Sequence, residues 1–216
     1  MRVTIACIVE GDGEVEAVPL LLRRLGQQMD PPVFVEAPRP IRSGRYKIIK
    51  HGELERAVRL AAKRAGKCGP ILVLLDSEDD CPGELGPRLF KRAISERRDI
   101  PLSVALAKKE YEGWFLAAAR SLRGQRSLSD ALEPPLDPEA VRGAKEWLNR
   151  NMSVDGPYRE VLHQPALTAI FDLEQAATAP SFRRFVREVH RLFEECRLRG
   201  KGLFDVEPGG SGGGGK

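Results

Sequence analysis

Apolar residues along this chain fall into short unbroken runs separated by longer amphipathic stretches. Ile5-Ala6-Cys7-Ile8-Val9, Ile71-Leu72-Val73-Leu74-Leu75 and Leu102-Ser103-Val104-Ala105-Leu106 have the length and character of strands buried on both faces of a parallel sheet. Val33-Phe34-Val35 reads as a shorter strand. Between them, Val15, Val18, Leu21, Leu22 and Leu25 recur at helical spacing, as do Leu54, Val58, Ala61 and Ala62 within residues 53–65, and a third helix is expected over residues 85–97. Pro19 lacks an amide proton and suits only a first turn, which puts the start of the first helix near Val15 or Glu16. Residues 39–50 carry Pro40, Ser43 and Gly44 among basic residues and read as an irregular loop. Strands alternating with helices of this length predict an α/β fold, a mostly parallel, doubly wound sheet flanked by helices.

After Leu106 the strand signal stops. Helices are expected over residues 111–121, 139–149, 165–175 and 181–196, with a break at Glu133-Pro134-Pro135-Leu136-Asp137-Pro138. Phe182, Phe185, Val186, Val189, Leu192, Phe193 and Cys196 give the last helix a continuous apolar face, and its Arg183, Arg184, Arg187 and Arg191 read as a solvated one. This divides the chain into an α/β core over residues 1–122, a helical extension packed on it over 123–207, and a Gly-rich tail over 208–216 that stays outside the fold. No apolar run approaches the roughly 18 to 20 residues of a membrane span. Cys7, Cys68, Cys81 and Cys196 are scattered, without a CxxC pair or a preceding signal peptide, so neither a zinc site nor a disulfide framework is indicated and the cytoplasm is the expected compartment. His51, His163 and His190 lack metal spacing, and neither a Walker A sequence nor a GxGxxG turn is present.

Charge alters the picture locally rather than in total. The 35 Lys and Arg against 31 Asp and Glu leave a net charge of only +4. Between Pro38 and Lys67, however, ten basic residues face only Glu53 and Glu55, a local excess of +8. Such a block is the electrostatic footprint of a polyanion site or, alternatively, a solvated loop and helix face. On the first reading Arg39, Arg42, Arg45, Lys47 and Lys50 hold a nucleic-acid backbone and Tyr46 stacks on a base.

The acids are more telling. The first strand runs into Glu10-Gly11-Asp12-Gly13-Glu14, the second into Asp76-Ser77-Glu78-Asp79-Asp80, and the third is followed by Glu110 and Glu112. Open α/β sheets bind ligands at the carboxyl ends of their strands. Carboxylates gathered there repel by roughly 4 kcal/mol per close pair at an effective dielectric of about 20, so a cation is needed, and Mg²⁺ (or Mn²⁺) takes oxygen ligands of this kind. If the chain stays extended beyond the second strand, Asp76 and Glu78 converge on one ion.

A strand ending in Glu-Gly, a helix, and a later strand ending in Asp-x-Glu resembles the pattern of TOPRIM domains. The remainder resembles a bacterial TOPRIM-like family, DUF4276, through Lys108-Lys109-Glu110-Tyr111-Glu112-Gly113-Trp114-Phe115-Leu116-Ala117, Tyr158 with Gln164-Pro165-Ala166-Leu167, and Ser181-Phe182-Arg183-Arg184-Phe185. The resemblance implies a metal-dependent nuclease in which Glu10 stands near the scissile phosphate, Asp76 and Glu78 hold metal, Glu14 and Asp80 are further ligands, Glu112 is a fourth carboxylate and Lys108 joins the nucleic-acid contacts. It also implies nucleic acid, DNA before RNA, as substrate, and an ABC-type ATPase as partner in an antiviral defence system. A homodimer is open. The alternative is a TOPRIM-like module that binds nucleic acid or an ATPase without cutting.

Overall fold

The structure is a computed structural model that describes residues 1–66, 69–152 and 156–202. In chain order the elements of the first half are β1 (Arg2–Thr4), β2 (Ala6–Val9), α1 (Asp12–Gln27), β3 (Phe34–Glu36), β4 (Ile41–Arg42), α2 (Arg45–Ile48), α3 (Glu53–Ala65), β5 (Ile71–Asp76), α4 (Pro82–Glu96) and β6 (Leu102–Ala107). The second half is helical: α5 (Gly113–Ala117), a 3₁₀ turn (Ala119–Leu122), α6 (Ala144–Arg150), α7 (Glu160–Thr168), α8 (Leu173–Ala176) and α9 (Pro180–Gly202).

Among the described residues the named strands pair in parallel, giving a four-stranded sheet in the order β4-β2-β5-β6, while β1 pairs with β3. β1 and β2 are consecutive parts of one run interrupted at Ile5, whose N–H donates to the Glu36 carbonyl at 2.9 Å. The alternation of side chains explains why these runs are apolar throughout. Ile5, Cys7, Val9, Leu72, Leu74, Ala105 and Ala107 enter a core shared with α1, α5 and α9, whereas Ala6, Ile8, Ile71, Val73, Leu75, Val104 and Leu106 enter a second core with α3 and α4. From β2 the chain crosses to β4 on one side and later to β5 on the other, so the switch point of this sheet lies between β2 and β5.

The helical second half is fixed by aromatic contacts. Trp114 lies 5.1 Å from Phe182 and 5.0 Å from Phe185, Phe115 lies 5.6 Å from Phe171, and Tyr111 packs on both Trp114 and Phe115. Such pairs add about 0.5–1.5 kcal/mol each beyond their buried area. Residues 111–115, and Glu112 with them, are thereby clamped between the sheet and α9. Arg24 of α1 ties in the far side, donating to the carbonyls of Thr168 and Phe171 at 2.8 and 2.6 Å.

Several expectations are corrected. α1 begins at Asp12, not near Val15, and carries Pro19 in its interior. Its start is set by Glu14, whose carboxylate accepts the Gly11 N–H, and this anchoring prevails over the hydrogen bond that Pro19 cannot give to the Val15 carbonyl. Residues 39–50 are not irregular throughout: Ile41 and Ile48 are apolar anchors that make the edge strand β4 and the short α2 possible. The helix expected over 165–175 is two helices, α7 and α8, because Asp172 caps the second by accepting the Gln175 N–H at 2.7 Å. The helix expected over 139–149 shortens to α6. The tail over 208–216 and Cys68 lie outside the described residues.

Candidate functional site

A cleft of about 840 Å³ opens over the carboxyl ends of β2 and β5, at the switch point of the sheet. Glu10, Glu14, Asp76 and Glu78 line it, and Glu112 lies fully buried beside them. Glu10 and Asp76 are brought together by adjacent parallel strands: the Asp76 N–H donates to Glu10 Oε2 at 3.2 Å. Asp76 Oδ1 accepts the Tyr111 N–H at 2.8 Å, which ties the end of β5 to the segment carrying Glu112. Three acidic stations far apart in sequence therefore meet at one end of the sheet.

Burial and mutual repulsion act on all of them. Burial first, then the charges of Glu14, Glu112 and Glu10, hold the Asp76 carboxyl well above the ordinary aspartate range. Burial pushes Glu14 up to about 7 and Glu112 to about 8, with Glu160 adding repulsion in both cases. Glu10 is raised, mainly by burial, less the effect of its bond from Asp76.

The helical extension closes this floor. Tyr158 Oη donates to Glu112 Oε1 at 3.0 Å, and Gln164 Nε2 approaches the same oxygen at 3.4 Å. Glu112 Oε2 and Gln164 Oε1 are buried with no hydrogen-bond partner. α7 crosses the N-terminus of α1 so closely that a β-carbon at Gly11 would stand 2.6 Å from Glu160 Oε1, and one at Gly13 would collide with Gln164 Oε1. Those glycines serve the approach of α7. On the facing wall, the Glu110 carboxylate accepts the N–H groups of Gly143, Ala144 and Lys145 at 3.1–3.4 Å, capping α6 from outside. That cap places Lys145 Nζ 2.9 Å from Glu160 Oε2, within the field of Glu112 and Asp76.

The stretch after β5 departs from expectation. Instead of remaining extended, it turns: Glu78 has φ 47°, and the Asp80 N–H donates to the Ser77 carbonyl at 2.9 Å. Glu78 is thus carried toward Glu10 and Arg45, 3.6 Å from Arg45 Nε. Asp80 pairs with the Arg45 guanidinium, which also donates to the Asp76 carbonyl.

Arg45 is consequently a buried counter-ion of the acidic loop, and it lines the cleft from beneath rather than standing out in solvent. Arg42, Tyr46 and Lys47 do line the cleft and are exposed, with Arg42 2.9 Å from Asp12 and Lys47 3.6 Å from Glu53. Arg39 pairs with Glu16 at 3.2 Å outside the cleft, Lys50 is exposed away from it, and Lys108 lines a separate groove beside β6 and α9. Lys109, Arg142 and Lys145, which the basic-block argument does not reach, complete the wall opposite Arg42 and Lys47.

The donor set suits a hard divalent ion by its chemistry: oxygen ligands only, at least four carboxylates, and an unpartnered buried carboxylate oxygen on Glu112. As the side chains stand, among the described residues no group of three or more His, Cys, Asp or Glu is arranged to hold a metal ion. Lys145 and Arg45 sit among the acids instead.

Comparison with family models matches residues 9–190 to a domain of unknown function, DUF4276. The chain belongs to the DUF4276 family. The DUF4276 match runs from the end of β2 into α9, so it takes in all three acidic stations and also Lys145, Tyr158, Glu160 and Gln164. Curated proteins and solved structures yield no match. Tyr158 and Gln164 stand in stretches through which the sequence resembles DUF4276, but their contact with Glu112 cannot be read from spacing. Lys145 and Glu160 carry no signal beyond their residue type. Among the described residues, no helix is long and apolar enough to cross a membrane.

Proposed function

We propose that this protein is a TOPRIM-like, metal-dependent phosphodiesterase acting on nucleic acid, DNA before RNA. The observation that carries the reading is the convergence of Glu10, Glu14, Asp76 and Glu112 at the sheet's switch point, under a cleft rimmed by Arg42, Lys47, Lys109 and Arg142. Asp76 and Glu112, with Glu10 and Glu14, would hold Mg²⁺ or Mn²⁺. When bound, the ion supplies neutralisation of phosphoryl charge and a water of lowered pKa.

The chain's own residues do the rest. The two basic walls receive successive phosphates of a strand laid along the cleft, and exposed Tyr46 offers a ring for a base. Glu10, partly accessible at the strand end, stands where its carboxylate can accept a proton. An ABC-type ATPase partner in antiviral defence, cytoplasmic location and a homodimer belong to the same reading by family analogy alone.

The first test compares wild type with Asp76→Ala on single- and double-stranded substrates in EDTA, Mg²⁺ and Mn²⁺, with and without an ATPase encoded beside it. Cleavage should require the divalent ion and fall at least about 100-fold in the variant, as expected when positioning of the reacting groups is lost. Equal cleavage by both proteins would dismiss this site as its source. One observation favours the second reading, a binding module without catalysis: the acids already have Lys145 and Arg45 as counter-ions. Metal-independent binding and no cleavage by wild type under all these conditions would select it.

A further inference from the structure

Lys145 is the least expected group in this site. Its ammonium is half-buried, hydrogen-bonded to Glu160 Oε2 at 2.9 Å, and subject to the charges of Glu112, Glu160 and Asp76. It does not reach this place by chance of a flexible surface chain. Three α6 N–H groups are bound by the Glu110 carboxylate, and α7 is pressed against Gly11 and Gly13, so both ends of the Lys145–Glu160 pair are mounted on fixed elements. The acids it faces still hold an unpartnered, fully buried oxygen, Glu112 Oε2.

We infer that Lys145 is the resident counter-cation of the acidic floor and that a divalent ion binds in competition with it, leaving the ammonium tethered to Glu160 at the lip of the cleft. This rests on the metal-site reading above and deepens it by naming what the metal displaces. One positive charge held among several carboxylates opposes the entry of a second cation by direct Coulomb repulsion, and the repulsion is strong where water is partly excluded. Glu160 gives the displaced ammonium a partner, and Lys145 itself lines the cleft where a substrate phosphate would lie.

The test measures Mn²⁺ affinity of the full chain by calorimetry and by the electron-spin signal of free Mn²⁺, at pH 8, for wild type, Lys145→Met, Lys145→Arg and Asp76→Asn. Folding of each variant is checked by circular dichroism and thermal melting. Lys145→Met should bind Mn²⁺ tighter by about tenfold or more, since removing a like charge near a divalent ion is worth at least that at protein dielectric. Lys145→Arg, which keeps the charge, should stay within about threefold of wild type by the same argument. A purely structural lysine would not give this split. Unchanged or weaker binding in Lys145→Met, or equal tightening in Lys145→Arg, overturns the inference and leaves the metal site standing. No Mn²⁺ binding by wild type, or binding that Asp76→Asn does not diminish, overturns the metal site and the inference together.

Discussion

At the residue scale the site is dominated by carboxyls held away from their ordinary pKa. For Glu112 and Glu14, pushed up to about 8 and 7 from 4.5, the folded state binds protons more tightly than the unfolded chain. Stability contributed by these groups is therefore full below about pH 4.5 and is lost as the pH rises through 7 to 8. Glu55 works in the opposite sense. Its two hydrogen bonds from Arg92, at 2.7 and 2.9 Å, lower it to about 2, so its contribution is present above pH 4.5 and disappears as the pH falls toward 2. Thermal melting in EDTA should accordingly show highest stability near pH 5 and a decline toward pH 8. Glu112→Gln, which keeps the shape and removes the charge, should flatten the alkaline decline and raise the melting temperature at pH 8. An unchanged slope in that variant would mean that Glu112 is not the group responsible.

At the element scale, legibility in the sequence follows the range of the forces. β2, β5 and β6 are readable because strands buried on both faces must be apolar at every position, and α3 because its apolar face repeats with the helical period over a full Glu53–Ala65. The acids at strand ends are readable because parallel strands point their carboxyl ends the same way. What stays hidden depends on contacts distant in sequence: Arg45 folded inward onto Asp80 across 35 residues, Tyr158 onto Glu112 across 46, and Glu110 capping α6 across 33 to 35. Charge composition marks Arg45 as a surface cation, and only tertiary structure can bury it. The cap on α6 is open to test. Glu110→Ala orphans three helix N–H groups and should cost about 1 kcal/mol, in the range measured for removal of an N-cap side chain. For a chain of this size that is roughly 2–4 °C in melting temperature. A melting temperature equal to wild type would show that water replaces the carboxylate without cost.

At the scale of the whole molecule, a sheet of ordinary doubly wound order presents a cleft with an acidic floor and basic walls, and the two signs of charge make separable predictions. On the proposed function, the floor would govern metal and chemistry, and the walls how strongly a polyanion is held. The +8 block locates one wall by sequence, yet the structure buries Arg45 of that wall against Asp80 and supplies Lys109 and Arg142 from the loops after β6 and before α6. Each side chain that no longer neutralises a phosphate lowers the log–log salt slope by about 0.9 for duplex DNA. The triple charge reversal Arg42→Glu, Lys47→Glu and Arg142→Glu should therefore weaken binding to a short duplex and flatten its salt slope by roughly 2 to 3. All three side chains are exposed, so the fold should be retained. Reversal of Arg39, Lys50 and Lys108, which lie outside the cleft, changes net charge equally and should leave the slope within about 1 of wild type, because long-range attraction is screened within roughly 10 Å at 0.1 M salt. If both triple variants flatten the slope to the same extent, binding follows total charge rather than the cleft, and the walls are solvated surface.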